Sequence, residues 1–162
     1  MVCKWIESSN NSISSTELLY RLTRDGDSAQ TFHSKCDGKG TTITFVKNYS
    51  NDYRFGGYTT VSWTSNSGYK TDSNAFLFSL NNRKKFPLKN TSDSNAIYHY
   101  NSYGPAFGGG YDIYFNSSGN WSSSNNAYFN PYSYTFTVLD MIGVNSSSTS
   151  FRVSDLEVWL IK

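Results

Sequence analysis

From Gly40 onward the apolar residues of this chain recur at every second position, in short segments split by Gly, Asn, Ser and Pro. That period puts alternate side chains on opposite faces of a pleated strand and leaves no room for long amphipathic helices over three quarters of the sequence. Thr42–Lys47 sets Ile43 and Phe45 on one face, and Tyr58–Trp63 does the same with Val61 and Trp63. Ala75–Leu80 is apolar on both faces, which predicts a central strand. Ala96–Tyr100, Tyr111–Phe115, Tyr134–Leu139 and Phe151–Ile161 complete a set of about seven. Strands at this spacing without intervening helices specify two packed antiparallel sheets.

The last segment carries a finer signal. Phe151 and Val153 share one face, but Leu156, Val158 and Leu160 fall on the other. Burying both sets needs one extra residue near Ser154-Asp155, which a β-bulge supplies. Glu157 then points to the opposite side, beside Trp159.

Helical signals are confined to the first quarter. Ser14 and Glu17 have capping-box spacing, Leu18, Leu19 and Leu22 follow on one face, and Asp25-Gly26 ends the run. Asp27 and Gln30 repeat the box. Ala29, Phe32, His33 and Cys36 then stand at i, i+3, i+4 and i+7, with Gly38 at the C-terminal cap. The expected architecture is therefore mainly β with two short helices, a two-layer antiparallel β-sandwich over residues 15–162. Residues 1–14 read as an N-terminal extension, with an edge strand as one reading.

Composition agrees with a pleated fold. Phe, Tyr and Trp number 28 against 23 Ile, Leu and Val, and flat rings suit sheets better than helical stripes. Ser and Asn supply 44 residues, placed by the pattern mainly in loops, with 116–126 and 145–150 expected to be exposed. A formal charge of +2 offers no field that would favour nucleic acid. Arg83-Lys84-Lys85 with Lys89 reads as a solvated loop. No apolar run reaches the ~20 residues of a membrane-spanning helix, so direct membrane insertion is not expected. Two cysteines, Cys3 and Cys36, and an N-terminus without the apolar core of a secretory signal point to a reduced, cytoplasmic setting. On that reading the six Asn-x-Ser/Thr sequons, at Asn10, Asn48, Asn90, Asn116, Asn120 and Asn145, follow from composition.

No complete catalytic constellation emerges. His33, Cys36 and Asp37 could form an activated thiol, yet Cys36 shares its helical face with Ala29 and Phe32 and reads as core. The zinc alternative lacks ligands, since only Cys3 and His99 remain. Gly108-Gly109-Gly110 before Tyr111-Asp112 could cradle an anion, but no helix and no Lys-Ser/Thr follows, so a tight turn is the expected role. Asp72, Asp112, Asp155 and Glu157 near strand ends are candidates for glycosidic acid–base chemistry or, more simply, for structural hydrogen bonds. No cofactor and no metal are expected.

Five motifs in order carry a resemblance. Leu18–Ser28 with Arg24-Asp25-Gly26 leads to Phe32–Asp37, then Phe55-Gly56-Gly57-Tyr58 and Trp63, then Lys70–Leu80 with Asp72. Ala96-Ile97-Tyr98 and Tyr103–Tyr114, including Gly108, Gly109, Gly110 and Asp112, follow before Phe151–Trp159 with Glu157. Over residues 15–162 the chain resembles the TLDc domain. The resemblance implies a two-sheet sandwich flanked by short helices, a part in oxidative-stress resistance, and a non-catalytic protein-interaction role. It implies as partner the cytosolic subunits of the vacuolar-type proton pump (V-ATPase) or another large assembly. It carries no catalytic residue, and the matched residues above are structural or interaction positions. The alternatives are a structural subunit docked in an assembly, a Cys36-dependent antioxidant enzyme, and a glycan-binding sandwich suggested by the aromatic load and the sequons.

Overall fold

The computed structural model describes residues 1–8, 12–145 and 147–162, so the sequons at Asn10 and Asn145 reach beyond the described residues. Two six-stranded sheets pack face to face, and every neighbouring pair of strands is antiparallel. The first sheet holds β1 (Thr16–Arg21), β2 (Thr42–Asn48), β3 (Arg54–Thr59), β5 (Phe76–Ser79), β6 (Lys84–Pro87) and β12 (Val153–Ile161), in the order β1-β12-β2-β3-β5-β6. The second holds β4 (Gly68–Lys70), β7 (Ile97–His99), β8 (Ala106–Phe107), β9 (Ile113–Phe115), β10 (Ala127–Phe129) and β11 (Ser150–Phe151), in the order β11-β10-β9-β8-β7-β4. Among the described residues, four short helices, α1 (Val2–Glu7), α2 (Leu22–Asp25), α3 (Ala29–Cys36) and α4 (Val138–Ile142), flank them. None is long and apolar enough to cross a membrane.

Rings join the two layers. Phe55 of the first sheet meets Phe129 at 5.3 Å and Phe151 at 5.4 Å, and those two stack at 4.3 Å. Trp63 lies against Phe107 at 5.6 Å and Phe32 at 5.6 Å, and its indole N–H donates to Thr42 Oγ1. Gly57 lets the layers close: a Cβ there would stand 2.5 Å from the Phe107 ring. The bulge expected at Ser154-Asp155 is present, with the β12–β2 register shifting between Val153 and Asp155. Phe151, Val153, Leu156, Val158 and Leu160 are accordingly all buried.

Several expectations are corrected. The first helix is a strand: Thr16–Arg21 pairs with β12, and only the turn Leu22–Asp25 is helical. Pairing along a nine-residue strand outweighs a local capping signal, because a four-residue helix makes few hydrogen bonds of its own. The second helix stands as expected but is capped by Ser28, whose side chain accepts from Thr31 N–H. The extension carries helix α1 in place of an edge strand. Val2, Trp5 and Ile6, at i, i+3 and i+4, pack on the outer face of the first sheet against Phe78 and its neighbours.

That cover explains why Phe76–Ser79 is buried on both faces although it stands next to the edge strand and not at the sheet centre. Tyr134–Leu139 is no strand: Tyr134 makes a single bridge to Leu88, and Thr137 caps α4 in a reciprocal box with Asp140. The stretch 116–126 is exposed at Ser117, Ser118, Asn120 and 123–125, as expected, but it is pinned at its middle. Trp121 is buried, and Asp27 accepts from the N–H groups of Trp121 and Ser122. Lys84 and Lys85 lie in edge strand β6, where Lys84 pairs with Asp140 at 2.7 Å.

Candidate interaction surface

Most positions of the five motifs hold the fold together. Gly56 is obligatory, since a Cβ would stand 1.8 Å from the Thr44 carbonyl oxygen. Asp72 is buried and accepts from Thr59 Oγ1, Thr60 N–H, Thr60 Oγ1 and Asn74 N–H, tying the end of β3 to the loop before β5. Asp112 is buried and accepts from the N–H groups of Tyr132, Ser133 and Tyr134. Burial still raises its carboxyl above the ordinary value, against the pull of those three donors. Gly108, at φ +86°, must lack a side chain because a Cβ would strike that carboxylate. Gly109 N–H donates to Ser133 Oγ, and a Cβ at Gly110 would stand 2.6 Å from Tyr132 Cβ, so the three glycines form a packed turn. Gly26, at φ +109°, ends α2 and its carbonyl accepts from the Tyr20 hydroxyl. Trp63 is core.

Arg24, Asp25 and Glu157 lie at the surface, around β1 and β12. Arg24 bonds Asp25 at 2.7 Å and the Leu19 carbonyl at 3.2 Å, and it holds the Asp25 carboxyl below the usual carboxylate range. Beside them Arg21 reaches Asp155 at 2.7 Å and Glu157 at 3.4 Å. Glu157 also accepts from the Trp159 indole N–H at 2.8 Å. The alternation of β12 makes this cluster: once the bulge sets Leu156 and Val158 inward, Glu157 and Trp159 must face out.

Next to these residues the outer face of the first sheet opens into a groove of about 620 Å3. Phe45, Leu80 and Trp159 form its apolar part, continuous with the cluster under α1. Lys47 and Arg54 line it together with Arg21, Asp155 and Glu157, so both signs of charge surround an apolar floor. Sequence reasoning identified Glu157 beside Trp159 but missed Arg21, Phe45, Lys47 and Arg54. Phe45 and Lys47 share a parity on β2, but only the β12–β2 register brings that face beside Glu157.

The thiol site does not assemble. Cys36 is fully buried, and desolvation pushes its thiol well above the ordinary range, the opposite of activation. The His33 ring engages Asp37 at 2.7 Å and the Tyr100 and Tyr103 carbonyls at 2.9 and 3.0 Å, which anchors α3 to the β7–β8 loop. Asp155 and Glu157 are both engaged with Arg21, Asp72 is enclosed by two threonine hydroxyls and two backbone N–H groups, and Asp112 by three backbone N–H groups. No cluster of three metal-ligating side chains occurs among the described residues.

Comparison with known families decides what this architecture is: the TLDc domain matches residues 1–162. The chain belongs to the TLDc domain family. The match takes in the first 14 residues, so helix α1 falls inside the matched region. No curated protein matches the chain at a significant level.

Proposed function

We propose that this TLDc domain is an oxidation-resistance-type module that works in the cytoplasm by docking onto a protein assembly, and that its partner is the cytosolic part of the V-ATPase. The observation that carries the docking reading is the groove, where Phe45, Leu80 and Trp159 lie among Arg21, Lys47, Arg54, Asp155 and Glu157. An apolar centre with an aromatic anchor and a rim of both charges is the makeup of a protein interface. The choice of the pump as partner is part of the proposal and rests on what resemblance to the family implies. A docking role without catalysis fits a buried Cys36 and surface carboxylates already engaged by Arg21.

The test is a pull-down from cell extract with the whole chain as bait, beside a Trp159→Ala/Arg54→Glu variant. The expected result is retention of V-ATPase subunits by the wild type and their loss with the variant. Reproducible capture of a different assembly through the same residues rejects the pump and keeps the docking role. Capture indifferent to both substitutions rejects the groove.

A further inference from the structure

The apolar floor of the groove on the first sheet continues beneath helix α1, so the outer face of that sheet is one strip that α1 covers in part. Phe45, Leu80 and Trp159 line the groove and also pack against the cluster of Ile6, Ile43, Tyr58, Phe76 and Phe78. A run of rings joins the open part to the covered part: Phe45 stands 5.5 Å from Phe78, and Phe78 stands 6.3 Å from Trp5 of α1. Ile6, 1% exposed, is the one buried member of the cluster that does not come from a strand.

The seating of α1 shows what kind of element this strip takes. Val2, Trp5 and Ile6 turn toward the sheet, while Cys3, Lys4 and Glu7 are exposed. Apolar anchors at i, i+3 and i+4 with a polar opposite face are the means by which grooves recognise amphipathic helices. Lys85 on edge strand β6 donates from Nζ to the Trp5 carbonyl at 3.0 Å, which sets a cation on the last turn of the helix. None of these contacts requires that the helix be joined to β1. Another short helix with the same three apolar positions and a carbonyl for Lys85 meets the same seat.

The cover is also weakly held. A six-residue helix is too short to sustain itself in water, and α1 has neither a side-chain cap nor an acidic residue in its first turn. Its place therefore rests on what it buries, and that burial has an unfavourable side. Tyr58 is fully buried, its ring stacked on Phe76 at 5.0 Å, and its hydroxyl has no hydrogen-bond partner among the described residues. Buried hydroxyls are ordinarily paired. Loss of water pushes the phenol up to about 12, and Asp72 acts in the same direction. Desolvation likewise lowers the pKa of Lys85, whose Nζ lies 4.3 Å from the Phe76 ring centroid.

We propose that α1 is a displaceable strap: it occupies, as an internal competitor, the part of the docking surface that an amphipathic helix of the partner takes when α1 lifts. This role rests on the groove being a docking site. A partner helix that also reaches the groove gains Phe45, Leu80 and Trp159, with Lys47, Arg54 and Glu157 around them. It therefore replaces α1 with a larger contact and leaves the strands as they are.

The experiment uses the whole chain and, as probe, a synthetic peptide of its residues 1–8 carrying Cys3→Ser, followed by NMR through the ring signals of Phe76 and Phe78. An Ile6→Asp chain should release α1, because a carboxylate is costly in an apolar seat. It should bind the peptide about tenfold or more tightly than the wild type, whose tethered α1 competes at high local concentration. Ile6→Ala, a milder change, keeps the test open if the charged variant does not fold, and its affinity should lie between the two. A peptide that itself carries Ile6→Asp should bind none of the chains. In the pull-down, the Ile6→Asp chain should retain V-ATPase subunits more strongly than the wild type. Equal peptide affinity for all three chains, or shifts that spare Phe76 and Phe78, would overturn the proposal. So would equal retention of the pump by wild-type and Ile6→Asp chains. Peptide binding as expected with no pump retained by any chain would uphold the helix seat and reject the pump as partner.

Discussion

His99→Leu should make the domain less sensitive to acid. His99 is 1% exposed in the core, edge-on to Trp63 at 5.7 Å, and neither ring nitrogen has a hydrogen-bond partner. Burial lowers its pKa from 6.5 to about 4. Lys70 and His33 push the same way, and Asp37 pulls against them. A base whose pKa is depressed by folding takes up its proton more readily when unfolded, so acid favours the unfolded chain. This contribution to stability is intact above about pH 6.5, erodes as the pH falls, and is spent near pH 4. The whole gap is worth about 3 kcal/mol at about 1.36 kcal/mol per pH unit, of which about 2.5 kcal/mol is lost by pH 4.5.

Urea unfolding followed by tryptophan fluorescence, at about pH 7.5 and about pH 4.5, measures this as a double difference. Near pH 7.5 the leucine variant should be as stable as the wild type or more so, because an unpartnered buried donor and acceptor have gone. Near pH 4.5 its advantage should grow by about 2.5 kcal/mol with unchanged m-values. A variant whose stability difference stays constant across that range, within about 0.5 kcal/mol, would show that His99 titrates no differently in the two states and refute the reasoning.

Two further predictions concern the core. Gly57→Ala should cost about 1–3 kcal/mol by driving a methyl group into Phe107, and Phe107→Leu in the same chain should relieve part of that cost, read from urea midpoints in a double-mutant cycle. In a Cys3→Ser background, Cys36 should react with iodoacetamide in the native protein about a thousandfold or more slowly than in urea, because the buried thiol must wait for the fold to open. Rapid native labelling would instead mean an accessible thiolate.

How far the chain could be read depended on how local each signal was. The β12 bulge was legible because the flip between Val153 and Leu156 is written in eleven consecutive residues and has one cheap solution. Helix α3 was legible because its apolar stripe and terminating glycine are local, although its cap is Ser28 and not the Asp27 that the spacing suggested. The helix expected over Ser14–Asp25 failed for the converse reason: its residues satisfy a capping pattern, but their backbone groups find longer-range partners on β12. The box Thr137-x-x-Asp140 was present in the sequence and was overlooked beside a strand-like run of rings. Strands β4, β8, β10 and β11, of two or three residues, are too short to show a period at all.

The sites divide in the same way. That Glu157 stands beside Trp159 on the face opposite Leu156, Val158 and Leu160 followed from alternation alone. The partnership of both with Arg21, Phe45 and Arg54 was decided by strand order, which places β1, β12, β2 and β3 side by side although β1 and β12 stand at opposite ends of the chain. The tyrosines of the second sheet, Tyr69, Tyr98, Tyr114 and Tyr128, were visible one by one, as part of the aromatic load that suits a pleated fold. Only the pairing of β4 with β7 and of β9 with β10 sets them in one row, and only the turn at Gly108–Gly110 lifts Tyr111 into it. Periodicity determines which face of its own strand a side chain takes, because that depends on bonds along the chain. Which faces become neighbours depends on hydrogen bonds between distant segments, and that is what the tertiary structure decided.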